Sequence, residues 1–311
     1  MAGYFFIRMK KLLLLPLIFG GVVWLTSCNR GEQSRREQTI VSGTVAVMAD
    51  ETLMPVMEEE VAVFEHLYDR TDVNLSFGHE NQIVGKLLNR EVEVVVLTRP
   101  LTEKEHKFFE ARQFEPRVYR FATDAVALVV SRETADSTIA VDDMEQALKG
   151  GKLPEPFSRL VFDNANSSTI RFLREIAGVD SLPTEGVYAL KSNLDVLRYV
   201  SETPNTIGVV GLSWLARPDG ETREFIAGLK VMAVRGKAGG PAGSGYFKPT
   251  QSNLADSLYA LSRPVYIVNA EPKKSLGMGF AAFLTGESGQ RVILKAGLLP
   301  DSLPPREIII R

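Results

Sequence analysis

Short β-branched and apolar runs alternate along the chain with stretches in which apolar residues recur at helical spacing. Residues 44–48, 73–77 and 92–97 are runs of the first kind and read as strands. Between them, Met57, Val61, Phe64 and Leu67 form one helical stripe, and Ile83, Leu87 and Leu88 another. Pro55 suits the first turn of the first helix, where its missing N–H has no partner to lose, and Glu58–Glu60 suit its positive end. Residues 92–97 are nearly all apolar, which predicts burial on both faces. Thr102 and Glu105 have capping-box spacing and open a third helix. Three strand ends therefore run into short polar loops. This is α/β organisation with a parallel sheet, in which ligands sit beyond the carboxyl ends of strands.

The pattern continues with strands at 118–121 and 125–130 and a short helix at 142–149 stopped by Gly150. A strand ending at Phe162 follows, then a helix at 194–200, a buried strand at 207–210 and a late strand at 265–268 after Arg263-Pro264. Helices around 279–284 and 288–296 close the fold, with Gly297 after the second. Residues 236–245 (GKAGGPAGSG) are glycine-rich but lack the Lys-Ser/Thr ending of a phosphate-cradling loop, so they read as a flexible hairpin or loop.

One stretch carries candidate chemistry: residues 162–173, FDNANSSTIRFL. Ile170, Leu173 and Ile176 mark a helix that stops at Gly178, and Asn164, Asn166, Ser167, Ser168 and Thr169 crowd its start. The first N–H groups of a helix lack internal partners and the dipole is positive there. Adding hydroxyls that donate makes a site for a small oxyanion. The same residues also suit a simple helix cap.

The chain has 311 residues and 45% apolar content, enough for a sizeable core in one or two domains. Its amino terminus reads as a secretory signal: Arg8, Lys10 and Lys11, then an apolar run from Leu12 to Trp24, then Leu25-Thr26-Ser27-Cys28. That ending is similar to the lipobox of bacterial lipoproteins, in which the cysteine is lipidated, so residues 1–27 are expected to be removed and Cys28 to hold a membrane anchor. Cys28 is the only cysteine, which excludes an intrachain disulfide and a thiolate metal site. Residues 28–39 are mostly polar and charged and read as a flexible tether. Removing the three cations before Cys28 leaves 33 Lys+Arg against 38 Asp+Glu, an acidic balance that gives no reason to expect nucleic acid.

Several segments together resemble one family, the phosphate substrate-binding proteins of ABC transporters. They are 50–64 (DETLMPVMEEEVAVF), 92–105 with Thr98-Arg99-Pro100-Leu101, 124–130 (DAVALVV), the turn 166–169, 206–212 (TIGVVGL), 261–266 (LSRPVY) and 283–300 (FLTGESGQRVILKAGLLP). Their order and spacing match over nearly the whole mature chain, and the last is the most telling. The resemblance implies a two-lobed α/β fold of the type II periplasmic-binding-protein kind, with the ligand cleft between lobes. Residues 40–122 with 260–311 would form lobe 1 and 123–259 lobe 2. It implies a monomeric binding protein without enzyme activity or cofactor. Such a protein captures phosphate, or a similar small oxyanion, at the periplasmic or cell-surface face of a bacterial membrane and delivers it to a permease.

The resemblance also implies a site. The family's first loop has Thr followed by an apolar residue, matched by Thr52-Leu53. Its second loop is of Gly-Ser-Gly type, whereas this chain has Gly78-His79-Glu80-Asn81, so Asn81 or a backbone N–H would serve. Its third loop, Ser-Asp or Ser-Arg, corresponds to Thr98-Arg99, and its fourth, Ser-Gly-Thr, to Ser167-Ser168-Thr169. Many members carry an arginine four residues before that serine, where this chain has Asp163. The two charges are thus exchanged between loops. Arg99 would grip the anion, and Asp163 would accept the proton that phosphate carries and sulfate lacks. Two other readings stay open: Arg99 and Asp163 pair as a latch across the cleft, or Arg99 is a solvated loop charge and Asp163 a cap.

An enzyme reading finds little support. Ser167 has no G-x-S-x-G context or evident base, no acid cluster suggests a two-metal site, and His66, His79 and His106 share no metal spacing. A surface scaffold or sensor with the same fold and a degenerate pocket is the remaining alternative.

Overall fold

The computed structural model describes residues 38–302 except 217, 219, 221, 242, 272 and 273. The expected signal peptide, Cys28 and the tether through residue 37 lie outside the described residues.

Strand β1 (Gly43–Asp50) runs through a 3-10 turn (Glu51–Leu53) into α1 (Met54–Leu67), followed by β2 (Thr71–Gly78), α2 (Glu80–Leu88), β3 (Val94–Leu97) and α3 (Glu103–Glu110). Pro55 stands in the first turn of α1, and Thr102 and Glu105 form the expected reciprocal cap of α3. The middle of the chain holds β4 (Arg117–Ser131), β5 (Thr138–Ala140), α4 (Val141–Leu148), β6 (Arg159–Phe162), α5 (Ser168–Ala177), β7 (Val187–Ala189), α6 (Asn193–Glu202) and β8 (Thr206–Gly211). Short elements follow: α7 (Ser213–Ala216), α8 (Thr222–Ala227), β9 (Leu229–Val231), β10 (Ala233–Arg235), β11 (Tyr246–Phe247) and α9 (Gln251–Ala255). The chain then returns through β12 (Ser262–Asn269), α10 (Leu276–Thr285), α11 (Glu287–Lys295) and β13 (Leu299–Pro300). The glycine-rich stretch links β10 to β11, which pair antiparallel as a hairpin.

Two features differ from the sequence expectation. The sheet is mixed: β1 is parallel to β2 and β3, but β12 is antiparallel to both β3 and β4. The two strands expected at 118–121 and 125–130 are one 15-residue strand. Its polar Thr123-Asp124 step suggested a break, yet Asp124 stays in the ladder because Arg263 of β12 lies directly opposite and neutralises it.

The sheet runs β2-β1-β3-β12-β4-β8-β6-β7, so β4 is common to two halves. Residues 117–125 of β4 pair with β12, and residues 126–129 pair with β8. Each half has its own hydrophobic core. One is built on Ala125–Val130, Leu160–Phe162, Val196, Leu197 and Ile207. The other lies on the two faces of the β1–β3 region, with Phe64, Phe280 and Ile293 on one side and Ile83, Leu87 and Leu101 on the other. The carboxyl ends of β1, β2 and β3 meet those of β6 and β8, which is where the polar loops gather.

Candidate functional site

Arg263 is the centre of these loops. It opens β12, is 1% exposed, and faces Asp124 across the β4–β12 ladder. Its Nε donates to Asp124 Oδ2 at 2.9 Å, and Nη2 lies 2.8 Å from the same oxygen. Nη2 also donates to Thr52 Oγ1 at 2.8 Å, and Nη1 to Ser168 Oγ at 2.9 Å. One guanidinium thus reaches the turn after β1 and the amino end of α5. The planar fork of donors makes such multiple contacts possible; a lysine could not repeat them. A buried charge of this kind is tolerated because it is paired and hydrogen-bonded.

The two hydroxyls are themselves ordered. Thr52 Oγ1 donates to Asp50 Oδ1 at 2.6 Å, and the same carboxylate oxygen accepts the Thr52 N–H at 2.9 Å, closing a tight turn. Ser168 Oγ lies 3.4 Å from Thr52 Oγ1. The turn is docked on the other half of the molecule: Ser213 Oγ donates to Thr52 O at 3.0 Å, and Trp214 Nε1 to Glu51 O at 3.4 Å. Gly211 makes this approach possible, since a Cβ there would stand 2.5 Å from Thr52 O.

The start of α5 is held as a cap. Ser167 Oγ accepts from Ile170 N at 3.3 Å and lies 2.8 Å from Thr169 Oγ1. Thr169 Oγ1 donates to Asp163 Oδ1 at 2.8 Å, and Asn193 Nδ2 donates to Asp163 Oδ2 at 3.1 Å. Both Asp163 oxygens are thus engaged within their own half. Asp50 Oδ2, Asp124 Oδ1 and Thr98 Oγ1 are buried without a hydrogen-bond partner.

Acids dominate the electrostatics. Burial pushes the Asp124 carboxyl up although Arg263 opposes it, and burial likewise raises Asp163 against the hydroxyls of Ser167 and Thr169. Glu51 is pushed up to about 8 by burial, with Asp163 and Asp50 adding repulsion. Its Oε1 lies 3.1 Å from His79 Nδ1 and accepts from Asn164 Nδ2 at 3.3 Å.

The expected charge pair is therefore distributed differently. Arg99 and Asp163 do not meet as a latch: Arg99 Nη1 and Nη2 both donate to Glu105 at 2.9 Å, and Nε donates to Glu80 Oε1 at 2.6 Å. With Pro100 O also accepting from Nη1, four of its five N–H groups are engaged, so it is not a solvated loop charge either. Among the contacts that cross between halves is the ion pair of Glu80 Oε2 with Arg171 Nε, at 2.8 Å. Asn81 is exposed on the first turn of α2, and the Leu53 side chain is fully buried in the core of the β1 half. Thr52, Ser168 and the Ser167–Thr169 cap come together as the sequence suggests. Arg263, Asp124 and Asp50 complete the cluster and were missed. A usable signal existed: Arg263 and Asp124 are lone charges within otherwise apolar strand runs, a pattern that demands a partner.

Comparisons with known proteins agree with this architecture. A protein 23% identical over 272 residues, covering 82% of this chain and 89% of its own length, is the phosphate-binding protein PstS of Borreliella burgdorferi. The phosphate-binding protein PstS of Staphylococcus aureus strain USA300 is 21% identical over 265 residues, covering 80% of this chain and 74% of its own. Two solved structures share the fold. A putative phosphate ABC transporter substrate-binding protein from Clostridium perfringens, solved with bound phosphate, has a TM-score of 0.65 at 18% identity over 84% of this chain and 100% of its own. An ABC-type phosphate transport receptor from Vibrio cholerae has a TM-score of 0.60 at 17% identity over 83% of this chain and 100% of its own. A profile described as a PBP superfamily domain matches residues 33–288, most of the chain, and with the two-cored α/β fold it shows that the protein belongs to the PBP superfamily.

Proposed function

We propose that the protein is a binding protein for phosphate or a closely similar protonated oxyanion, which it captures between two lobes and hands to an ABC transporter permease. The lobes are residues 40–122 with 260–311, and residues 123–259, joined through β4 and the start of β12. The mature protein is a monomer held through lipidated Cys28 on the periplasmic or cell-surface side of a bacterial membrane.

One observation carries this reading: a fully buried guanidinium, Arg263, is shared by hydroxyls from both halves, Thr52 and Ser168, beside the amino end of α5. In the ligand-bound form, Arg263, Thr52, Ser168 and Thr98 act on the anion together with N–H groups of the first turn of α5. Asp163, Ser167 and Thr169 shape that turn, and Leu53 contributes only its backbone. Arg99 and Asn81 hold the rim. The unpartnered oxygens of Asp50 and Asp124 accept hydrogen bonds from P–OH groups. Sulfate has no such protons and meets those carboxylates as bare repulsion.

Titration calorimetry with phosphate and sulfate tests this. Phosphate is expected to bind and sulfate to bind far more weakly, with Arg263→Lys losing most of the phosphate affinity. At a hundredfold excess over the dissociation constant, phosphate should add about 2.7 kcal/mol of stability. No heat and no shift in melting would instead support a scaffold or sensor with a degenerate pocket. That reading draws on Glu80, whose carboxylate already bridges the two halves. The anchor is tested separately: Cys28→Ala should release the protein from the membrane fraction or leave it uncleaved.

A further inference from the structure

A cavity of about 680 Å³ lies apart from the Arg263 cluster, where β8–β9 and the approach to α9 face the end of α11. Among the described residues its wall carries Arg132, Lys230, Lys248 and Lys295 and no carboxylate, although the chain as a whole is acidic. Arg132 Nε donates to Ala227 O at 2.9 Å, and Lys230 Nζ donates to Thr134 O. These carbonyls orient the two cations without neutralising them. Among the described residues no carboxylate pairs with any of the four.

The rest of the lining is largely apolar, with Leu212 and Leu229 buried, Leu215 and Val231 partly so, and Ala216 exposed. The wall is fixed from both halves of the molecule. Gln251 Nε2 donates to Leu294 O and Leu298 O, both at 2.7 Å, and Gly297 approaches Ala216 so closely that a Cβ would stand 2.9 Å from it.

The volume falls within the range of about 300–1,000 Å³ in which small organic ligands are bound. Orthophosphate is too small to use cations spread over such a cavity, and it has nothing for the apolar wall. We propose that this cavity is a second binding site, for a phosphorylated organic molecule that combines several negative charges with an apolar or aromatic body. A nucleotide has this chemistry. The proposal is independent of the reading of the Arg263 cluster.

ATP is the probe, with adenosine and inorganic tripolyphosphate separating the body from the charge. ATP is expected to bind more tightly than either, and more weakly as salt rises. Lys230→Gln and Lys295→Gln, each confirmed as folded by an unchanged melting profile, should each weaken ATP by about tenfold, equivalent to about 1.4 kcal/mol. Orthophosphate binding should stay as in the wild type. Three results overturn the proposal: ATP binding no tighter than adenosine at low salt, ATP affinity unmoved in both variants, or ATP displaced one-for-one by orthophosphate.

Discussion

Glu80 Oε2 accepts a hydrogen bond from Arg171 Nε at 2.8 Å, while Glu80 Oε1 accepts one from Arg99 Nε at 2.6 Å. A single carboxylate at the start of α2, 2% exposed, thus joins an arginine of its own half to an arginine of α5 in the other. Arg99 is further gripped by Glu105, and Arg171 by Glu175 at 2.7 Å. This chain of charges is an internal fastening between halves that involves no ligand.

Glu80→Gln keeps the shape and removes the charge. The expected outcome is a larger radius of gyration for the ligand-free protein in small-angle scattering, and a stability loss of about 1–3 kcal/mol. Unchanged scattering would show that the contact follows from the arrangement of the halves and does not hold it.

Arg99→Ala separates anion binding from support of the loop. Because Arg99 is engaged by Glu105 and Glu80, its removal is expected to lower the melting temperature and leave the phosphate-to-sulfate affinity ratio unaltered. A variant with wild-type melting and lost phosphate affinity would return Arg99 to the ligand.

Gly211→Ala places a methyl group 2.5 Å from Thr52 O, so the turn after β1 must move away from β8. Overpacking of this kind costs about 1–3 kcal/mol. Calorimetry should also show weaker phosphate binding, since Thr52 is displaced from Arg263. A melting profile and affinity equal to wild type would contradict the close approach.

Glu51 governs a pH dependence. Its folded-state pKa, pushed up to about 8, lies above the ordinary value near 4.5. Between those values the folded protein holds a proton that the unfolded chain releases, so stability falls as pH rises through the window. Urea unfolding from pH 5 to 9 should show this decline, and Glu51→Gln, neutral throughout, should make it shallower. An equal slope in both proteins would place the dependence elsewhere.

Local chemistry decided most of the elements. Pro55 at a first turn, the Thr102/Glu105 cap and the left-handed Gly178 at the end of α5 are near-neighbour effects, so each was visible in the sequence. The hydroxyl cluster of Ser167, Ser168 and Thr169 was visible for the same reason, because a helix start is satisfied by the residues beside it. The resemblance to phosphate-binding relatives indicated a two-lobed fold because its segments are spread from residue 50 to residue 300. Pairing across long sequence separations belongs to the tertiary structure. Asp124 and Arg263 are 139 residues apart, and only the antiparallel β4–β12 ladder makes them partners, turning two isolated charges into the centre of the site. The same ladder makes the sheet mixed and keeps β4 whole through its polar step. The partners of Arg99 are likewise a matter of tertiary structure: α2 and α3 pack beside it and bring Glu80 and Glu105 to its guanidinium, a pairing that no neighbouring residue in the sequence dictates for Glu80.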